Sequence, residues 1–461
     1  MSLNQDEMLQ AIYDTLFSAF TSPPAGAQTE GASQAAQTYL SLQWPGMQID
    51  VSQFADPWSA SNPDGSTMAT ETLSLMVDKV MSLNPISAQN GQNVSDIYAT
   101  VVEATVVPPP VDPAAQKAYD EALAFLQTDG TDYDGDGKKI TVKVDSRVYA
   151  TYKLKKKAYD NAVVSMMANY FQYDMTKPAD QRKWSLIGPT FLDAVNTAWS
   201  DWINAQKTKV EAQLAVLSQS SNNQAGVAFA AAKALFTNTR RSSLSDPGKT
   251  YSACYASPAN WFAASAADDW TLVTIDSGSL KTSSNSDYTK MSSGGNAGWG
   301  LWSLGGSFSK EDSHQSMDKT TQNLKVSFKF ARIDITRPWL NMLLFSMKGW
   351  SLSGFGPGGL SNGTKDQPLN TPFPILPTSF IAVRDLAITA DWGKEDSEAV
   401  SSATSASSSF GWGPFAISGS YSTGSSSSKF SSEFDGRTIS NNGLQIIGWI
   451  NTIVPSCPPG N

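Results

Sequence analysis

Most catalytic chemistry starts from a nucleophile, a proton carrier or a bound metal, so the scarce residues come first. The chain of 461 residues holds one histidine, His314, and two cysteines, Cys254 and Cys457. A zinc centre wants about four Cys or His ligands at close spacing, and these three residues are scattered. General acid–base and nucleophilic sites draw on His, Cys and paired carboxylates. The glycine-rich stretch Gly354-Phe-Gly-Pro-Gly-Gly359 contains Pro and lacks the Lys of a phosphate loop, so it reads as a turn. No residue is assigned a catalytic role and no enzyme is expected; a hydrolase built from carboxylates alone stays open. The cysteines read as two free thiols of a reducing compartment.

Carboxylates are spaced for chemistry in one place. Asp132, Asp134 and Asp136 alternate, and Gly137 follows. The run resembles the start of an EF-hand loop, whose carboxylate oxygens bind a hard cation and whose glycine makes the sharp turn. A helix is expected just before it. Lys143 stands where the closing Glu belongs, Lys138 and Lys139 add positive charge, and Ile140 falls one place late. Asp145 is the late carboxylate that a longer loop would use. The resemblance implies Ca2+ fixing a turn between two helices, with no other cofactor required; a solvated acidic turn is the alternative.

The surrounding composition narrows the partners. Charged residues make up 16% of the chain, against about 25% in an ordinary soluble protein. The deficit is filled by Ser, Thr, Asn, Gln and Gly rather than by apolar residues. With 33 basic and 42 acidic residues the net charge is −9, so no nucleic-acid partner is expected. The longest apolar run, Pro338 to Met347, is interrupted by Asn341 and Ser346 and falls short of the roughly 20 residues of a spanning helix. The N-terminus lacks a basic and then apolar leader, which sets the expected location as the cytoplasm of the producing cell, with later release a further option.

An α+β fold is expected, as a helical domain over 1–240 and a β-rich domain over 241–461. Met8, Leu9, Ile12, Leu16 and Phe20 recur at helical spacing before Ser22-Pro-Pro24. Met68 to Met81 repeats the pattern, and Asp112-Pro113 suits the start of a third helix. From Asp145 onward Tyr149, Tyr152, Lys156, Tyr159, Val163, Met166 and Tyr170 form one seam. A further helix is expected from Pro189, with Phe191, Val195, Trp199, Trp202, Val210, Leu214 and Leu217 as its stripe. Gly226 to Phe236 is an Ala-rich helix, and the long helices should form an antiparallel bundle. Past Arg241 the period becomes 2. Leu324, Val326, Phe328 and Phe330 alternate with polar residues, then the phase slips to Ile333 and Ile335, which predicts a β-bulge. Leu386, Ile388, Ala390 and Trp392 alternate likewise.

The β-rich half matches itself. Gly298-Trp-Gly-Leu-Trp-Ser-Leu-Gly-Gly-Ser-Phe-Ser309 aligns without gaps on Gly411-Trp-Gly-Pro-Phe-Ala-Ile-Ser-Gly-Ser-Tyr-Ser422. The order of alternating strand, Ser-rich stretch, match, polar loop and apolar strand also recurs. Two related units, about 268–336 and 381–454, joined by a Gly/Pro-rich connector at 354–377, would be an internal duplication. Trp302, Leu304 and Phe308 share one face of the first copy; Phe415, Ile417 and Tyr421 share it in the second. Trp299 and Trp412 precede them, and the other face is small. Alternating apolar and small polar positions with aromatic ends are what a membrane-spanning β-strand requires. The pattern resembles the Ser/Thr-rich insertion hairpins of β-pore-forming toxins, the aerolysin-like and perforin-like groups. A β-sandwich with Gly/Ser-rich strands has the same alternation.

Two functions follow as expectations. One is a pore-forming, toxin-like protein, stored soluble, whose hairpins insert after oligomerisation, with a membrane lipid or receptor and further copies of itself as partners. Its membrane-facing residues would be Trp299, Trp302, Leu304, Phe308, Trp412, Phe415, Ile417 and Tyr421. The other is a non-catalytic self-assembling protein that exposes the same aromatics as interface anchors.

Overall fold

The computed structural model describes residues 5–21, 37–59, 62–84, 91–106, 113–133, 137–170, 172–173, 177–219, 224–263, 270–277, 302–304, 318, 320–368, 370–405, 409–423 and 426–459. The fold is α+β. Helices α1 (Gln5–Thr21), α2 (Thr67–Val77), α3 (Val94–Val101), α4 (Pro113–Leu126), α5 (Arg147–Tyr170), α6 (Pro178–Asn204), α7 (Lys207–Gln219) and α8 (Gln224–Thr239) lie in the first half. The short α9 (Leu343–Ser346) and α10 (Lys394–Ser405) lie in the second. Local chemistry explains their starts. The Ser66 hydroxyl accepts from Ala69 N at 3.1 Å to cap α2, and Pro113 and Pro178 open α4 and α6 where a missing N–H costs nothing.

Helix α6 begins eleven residues before the expected Pro189, which lies inside it. Trp184 stacks on Phe191 at 6.2 Å across that proline, so the apolar face is continuous and its packing outweighs the one hydrogen bond lost. The stripe running on to Leu217 is divided between α6 and α7 by Gln206, at φ 62°. The tyrosine seam packs as expected: Tyr159 meets Trp199 at 5.2 Å and Tyr152 meets Trp202 at 5.7 Å. Lys156, its one polar member, bonds Asp160 at 2.9 Å and lies over the Trp202 ring.

The first half also carries β1 (Thr38–Gln48), β2 (Thr105–Val106) and a hairpin of β3 (Gln127–Tyr133) with β4 (Lys139–Asp145). The second half has β5 (Arg240–Ser242), β6 (Thr250–Ser252), β7 (Tyr255–Ser257), β8 (Thr271–Asp276), β9 (Trp302–Leu304), β10 (Gln322–Thr336) and β11 (Trp350–Ser351). It continues with β12 (Ile375–Asp391), β13 (Phe410–Trp412), β14 (Phe415–Thr423), β15 (Ser426–Ser431), β16 (Glu433–Phe434), β17 (Thr438–Asn441) and β18 (Gln445–Ile453). The central antiparallel sheet runs β1-β18-β12-β10-β7. At one end β8 also pairs with β10, and β17 and then β16 extend from β12. The change of element type near residue 240 is therefore crossed by pairing, because β1 joins β18.

Two hydrophobic cores cover the two faces of this sheet. The helices α2 to α8 bury one face; α1, α10 and a small second sheet bury the other, with Val164 and Ala168 of α5 joining in. This arrangement corrects the reading of β10. Leu324, Val326, Phe328 and Phe330 face the second core, whereas Ala331 and Ile333 face the helical core. Residues Lys329 to Asp334 keep an unbroken register with Arg384 to Ser379, so the phase slip is a change of buried face and not a bulge. The bulges lie elsewhere. An extra residue occurs in β10 near Asn323 and in β12 near Asp385, both with φ 53°.

Candidate functional site

Four strand ends line up at one end of the central sheet. The last residue of β8, Asp276, faces Lys325; Gln322, the first of β10, faces Asp391, the last of β12; and Thr389 faces Thr438. Residues 277–321 leave from β8 and return to β10, and residues 392–437 leave from β12 and return to β17. Each segment therefore joins strands that are already paired. The described parts of both segments meet in the small second sheet, ordered β15-β14-β13-β9. Within it Trp412 is opposite Trp302, and Phe410 is opposite Leu304. Gly413, at φ 55°, and Pro414 make the two-residue turn from β13 into β14, as the primed turns of hairpins require.

Four of the expected interface residues are not exposed in this packing. Trp302, Trp412, Phe415 and Ile417 are all at most 1% accessible. Trp302 stacks on Phe410 at 5.1 Å, and Phe415 meets Phe328 of β10 at 5.1 Å. Their apolar face has a ready partner in the second-core side of β10 and β12, which removes them as surface anchors. The small residues opposite, Ser303, Ala416 and Ser418, are buried as well. Leu304 and Tyr421 lie on β9 and β14; Trp299 and Phe308 lie outside the described residues.

One buried carboxylate ties the two segments together. Asp396, in the first turn of α10, is 3% accessible. It accepts from Trp302 Nε1 at 2.9 Å, from Asp318 N at 3.0 Å and from Thr321 Oγ1 at 2.5 Å. Thr321 Oγ1 in turn accepts from Gly393 N at 2.8 Å. Asp318 returns the contact, since its carboxylate accepts from Glu395 N at 3.2 Å at the positive end of α10. The Thr320 amide and hydroxyl hold the Asp318 carboxyl below its ordinary value. Gly393 is required here: a Cβ would lie 2.3 Å from the Asp318 carboxyl carbon.

The seam between β1 and this sheet is close but poorly satisfied. A Cβ on Gly411 would come within 2.4 Å of Pro45, and one on Gly46 within 2.4 Å of the Pro414 carbonyl. Trp44 Nε1, Ser303 Oγ and Trp412 Nε1 are buried without a hydrogen-bond partner among the described residues. Each such group costs about 1–3 kcal/mol. Gln445 of β18 offsets part of this by bonding Ala416 N at 2.8 Å and Ala416 O at 2.9 Å.

The acidic run has a different geometry from the one its spacing suggested. It forms the β3–β4 hairpin rather than a loop between helices. Asp132 pairs with Ile140, while Asp145 sits at the far end opposite Gln127. Five strand residues separate the levels, about 17 Å, so Asp145 does not reach Asp132; it pairs with Lys153 instead. Asp134 and Asp136 lie outside the described residues. Among the described residues no group of three metal-binding side chains occurs.

Cys254 and Cys457 are buried and free, and burial pushes both thiols up to about 12. One serine spacing is missed in the residue-by-residue reading above. Gly359-Leu-Ser361-Asn-Gly363 matches the pattern of a hydrolase nucleophile elbow. Ser361 is instead buried in a loop and donates its hydroxyl to Val454 O at 2.6 Å. Among the described residues no helix is long and apolar enough to cross a membrane. Comparison with family profiles, with curated proteins and with solved structures finds no match to this chain.

Proposed function

We propose that this protein is a membrane-active, pore-forming protein that is stored in the folded form described above and assembles with further copies of itself on a target bilayer. The observation that carries the reading is the exit of both segments from one end of the central sheet, each between strands already paired. Such a pair lengthens into a hairpin by adding rungs to an existing ladder, so the sheet itself need not be dismantled. The composition of the segments suits the destination. No Asp, Glu, Lys or Arg occurs from Met291 to Ser309 or from Ala399 to Ser428. A charge facing lipid on a spanning strand costs about 2–4 kcal/mol at the midplane, and a spanning strand takes about 9–11 residues. The shared route of the segments also supports reading the two units as copies of one ancestor.

Dye release from loaded vesicles tests the proposal. Leakage together with ring-shaped assemblies on the membrane is expected. No leakage across neutral, anionic and sterol-containing vesicles, with no membrane-bound oligomer, overturns it.

A further inference from the structure

A segment bound for a bilayer must be held back until it gets there, and the second layer has few directional contacts that do so. The strands β9, β13, β14 and β15 carry one charged residue, Lys429. Their apolar contacts are non-directional and a lipid interior replaces them at little loss. Besides the β9–β13 ladder and the bonds of Glu395 N to Asp318 and Gly393 N to Thr321, the side-chain contacts that link the first segment to the second among the described residues converge on Asp396. Three donors reach its carboxylate, and all three, Trp302, Asp318 and Thr321, belong to the first segment, while Asp396 belongs to the second. A buried carboxylate surrounded by donors is worth more than a neutral acceptor, and removing it strands those donors.

We infer that Asp396 is an autoinhibitory latch that couples the two segments, so that neither leaves the stored packing without the other. The inference rests on the pore-forming reading for its purpose, though not for its geometry. While the latch is closed, β9 stays beside β13 and the start of α10 stays against Asp318. When it opens, Trp302 loses its hydrogen bond to α10, and the Gly393–Thr321 bond loses the carboxylate that positions the threonine.

The test is hydrogen exchange on the full-length chain, with peptides covering β9, β13–β14, α10, and as references α2 and β12. Asp396→Asn keeps the volume and replaces acceptor capacity by donors. Thr321→Val removes one hydroxyl and Trp302→Phe removes one N–H, so at least one variant should fold where another does not. The expected result is about tenfold faster exchange in β9 and β13–β14 together, with α2 and β12 unchanged and with faster leakage of phosphatidylcholine–phosphatidylserine vesicles than wild type. Acceleration confined to α10, or spread equally over α2 and β12, overturns the latch. If β9 and β13–β14 loosen together but neither wild type nor variants release dye, the latch stands and the pore-forming reading falls.

Discussion

The helices and the small second sheet are fastened to the central sheet by contrasting means. On the helical face a buried cation does the fastening. Arg337, just beyond β10, donates to Pro377 O at 2.6 Å and to Val77 O at 2.7 Å, which joins β12 to the last carbonyls of α2. Arg332 and Asp334 of β10 alternate with Ala331 and Ile333 and so lie on the other face, where they bond each other at 2.9 Å and reach Asp160 and Lys157 of α5 at 3.6 and 3.3 Å, tying that helix to the sheet as well. The small second sheet sits by apolar contact, one carboxylate, the two bonds between Gln445 and Ala416, and a seam with three polar groups that lack a partner among the described residues. Charged contacts of fixed geometry lose their value once separated, whereas apolar contacts are re-made in any apolar medium. Under the pore-forming reading, the difference marks the helices, α5 included, as the permanent part and the small second sheet as the part that leaves.

The largest expected effect attacks the permanent side. Arg337→Met leaves two buried carbonyls and Asp78 without their cation, at a loss of about 3–5 kcal/mol. Chemical denaturation should record it as a loss across the whole molecule; a change below about 1 kcal/mol would place the fastening elsewhere. Phe415→Ala opens a cavity in the second core and should cost about 3 kcal/mol. Here the loss should be local, with faster exchange in β13–β14 and little change in α2 or α5. Equal loosening of both layers would erase the contrast.

Acid titration sharpens the comparison among the carboxylates that fasten the helices. Burial pushes Asp334 up, but Arg332 and Lys157 outweigh it and hold the carboxyl below its ordinary 3.8. Its contribution is present above that value and is lost as pH falls through the lower folded one. Asp78 has the opposite sign. Burial raises its carboxyl despite two hydrogen bonds from Ser95, so the folded state is relieved as pH falls from that raised value to 3.8. Stability curves against pH should therefore fall less steeply in Asp334→Asn and more steeply in Asp78→Asn than in wild type. Identical slopes would show that neither carboxyl differs between the folded and unfolded chain.

Much of the element pattern was legible in the residues, and its failures share one cause. The limits of α1, the start of α4 and the seam of α5 follow from periodicity and caps, which are local. The slip in β10 was legible too, but one strand read alone cannot tell a bulge from a change of buried face. Pro189 misled because its local cost was visible while the Trp184–Phe191 contact across it was not. Asp396 lies in Lys394-Glu-Asp-Ser-Glu398, which reads as a solvated helix start; its partners Trp302 and Thr321 are 94 and 75 positions away. The aromatics of the repeat were identified by alternation, which says that one face is buried and leaves open whether protein or lipid buries it.

The smallest expected effect is also the most direct probe of the seam. Ser303 faces Gly411 across β9 and β13, and its hydroxyl is buried without a partner among the described residues. Ser303→Ala removes that oxygen without altering the backbone, and Gly411 leaves room for the change. In an ordinary core position the loss of a hydrogen-bonding side chain is neutral or destabilising; here it removes a desolvated group and should stabilise the second layer by about 1 kcal/mol. The gain should appear as slower exchange in β9 and β13 and, under the pore-forming reading, as slower dye release. A variant that is tighter in the stored form and slower on the membrane would mean that the unsatisfied hydroxyl is kept because it loosens the seam. Faster exchange in Ser303→Ala would mean instead that the hydroxyl has a partner, and the second face would be bound more firmly than its apolar contacts imply.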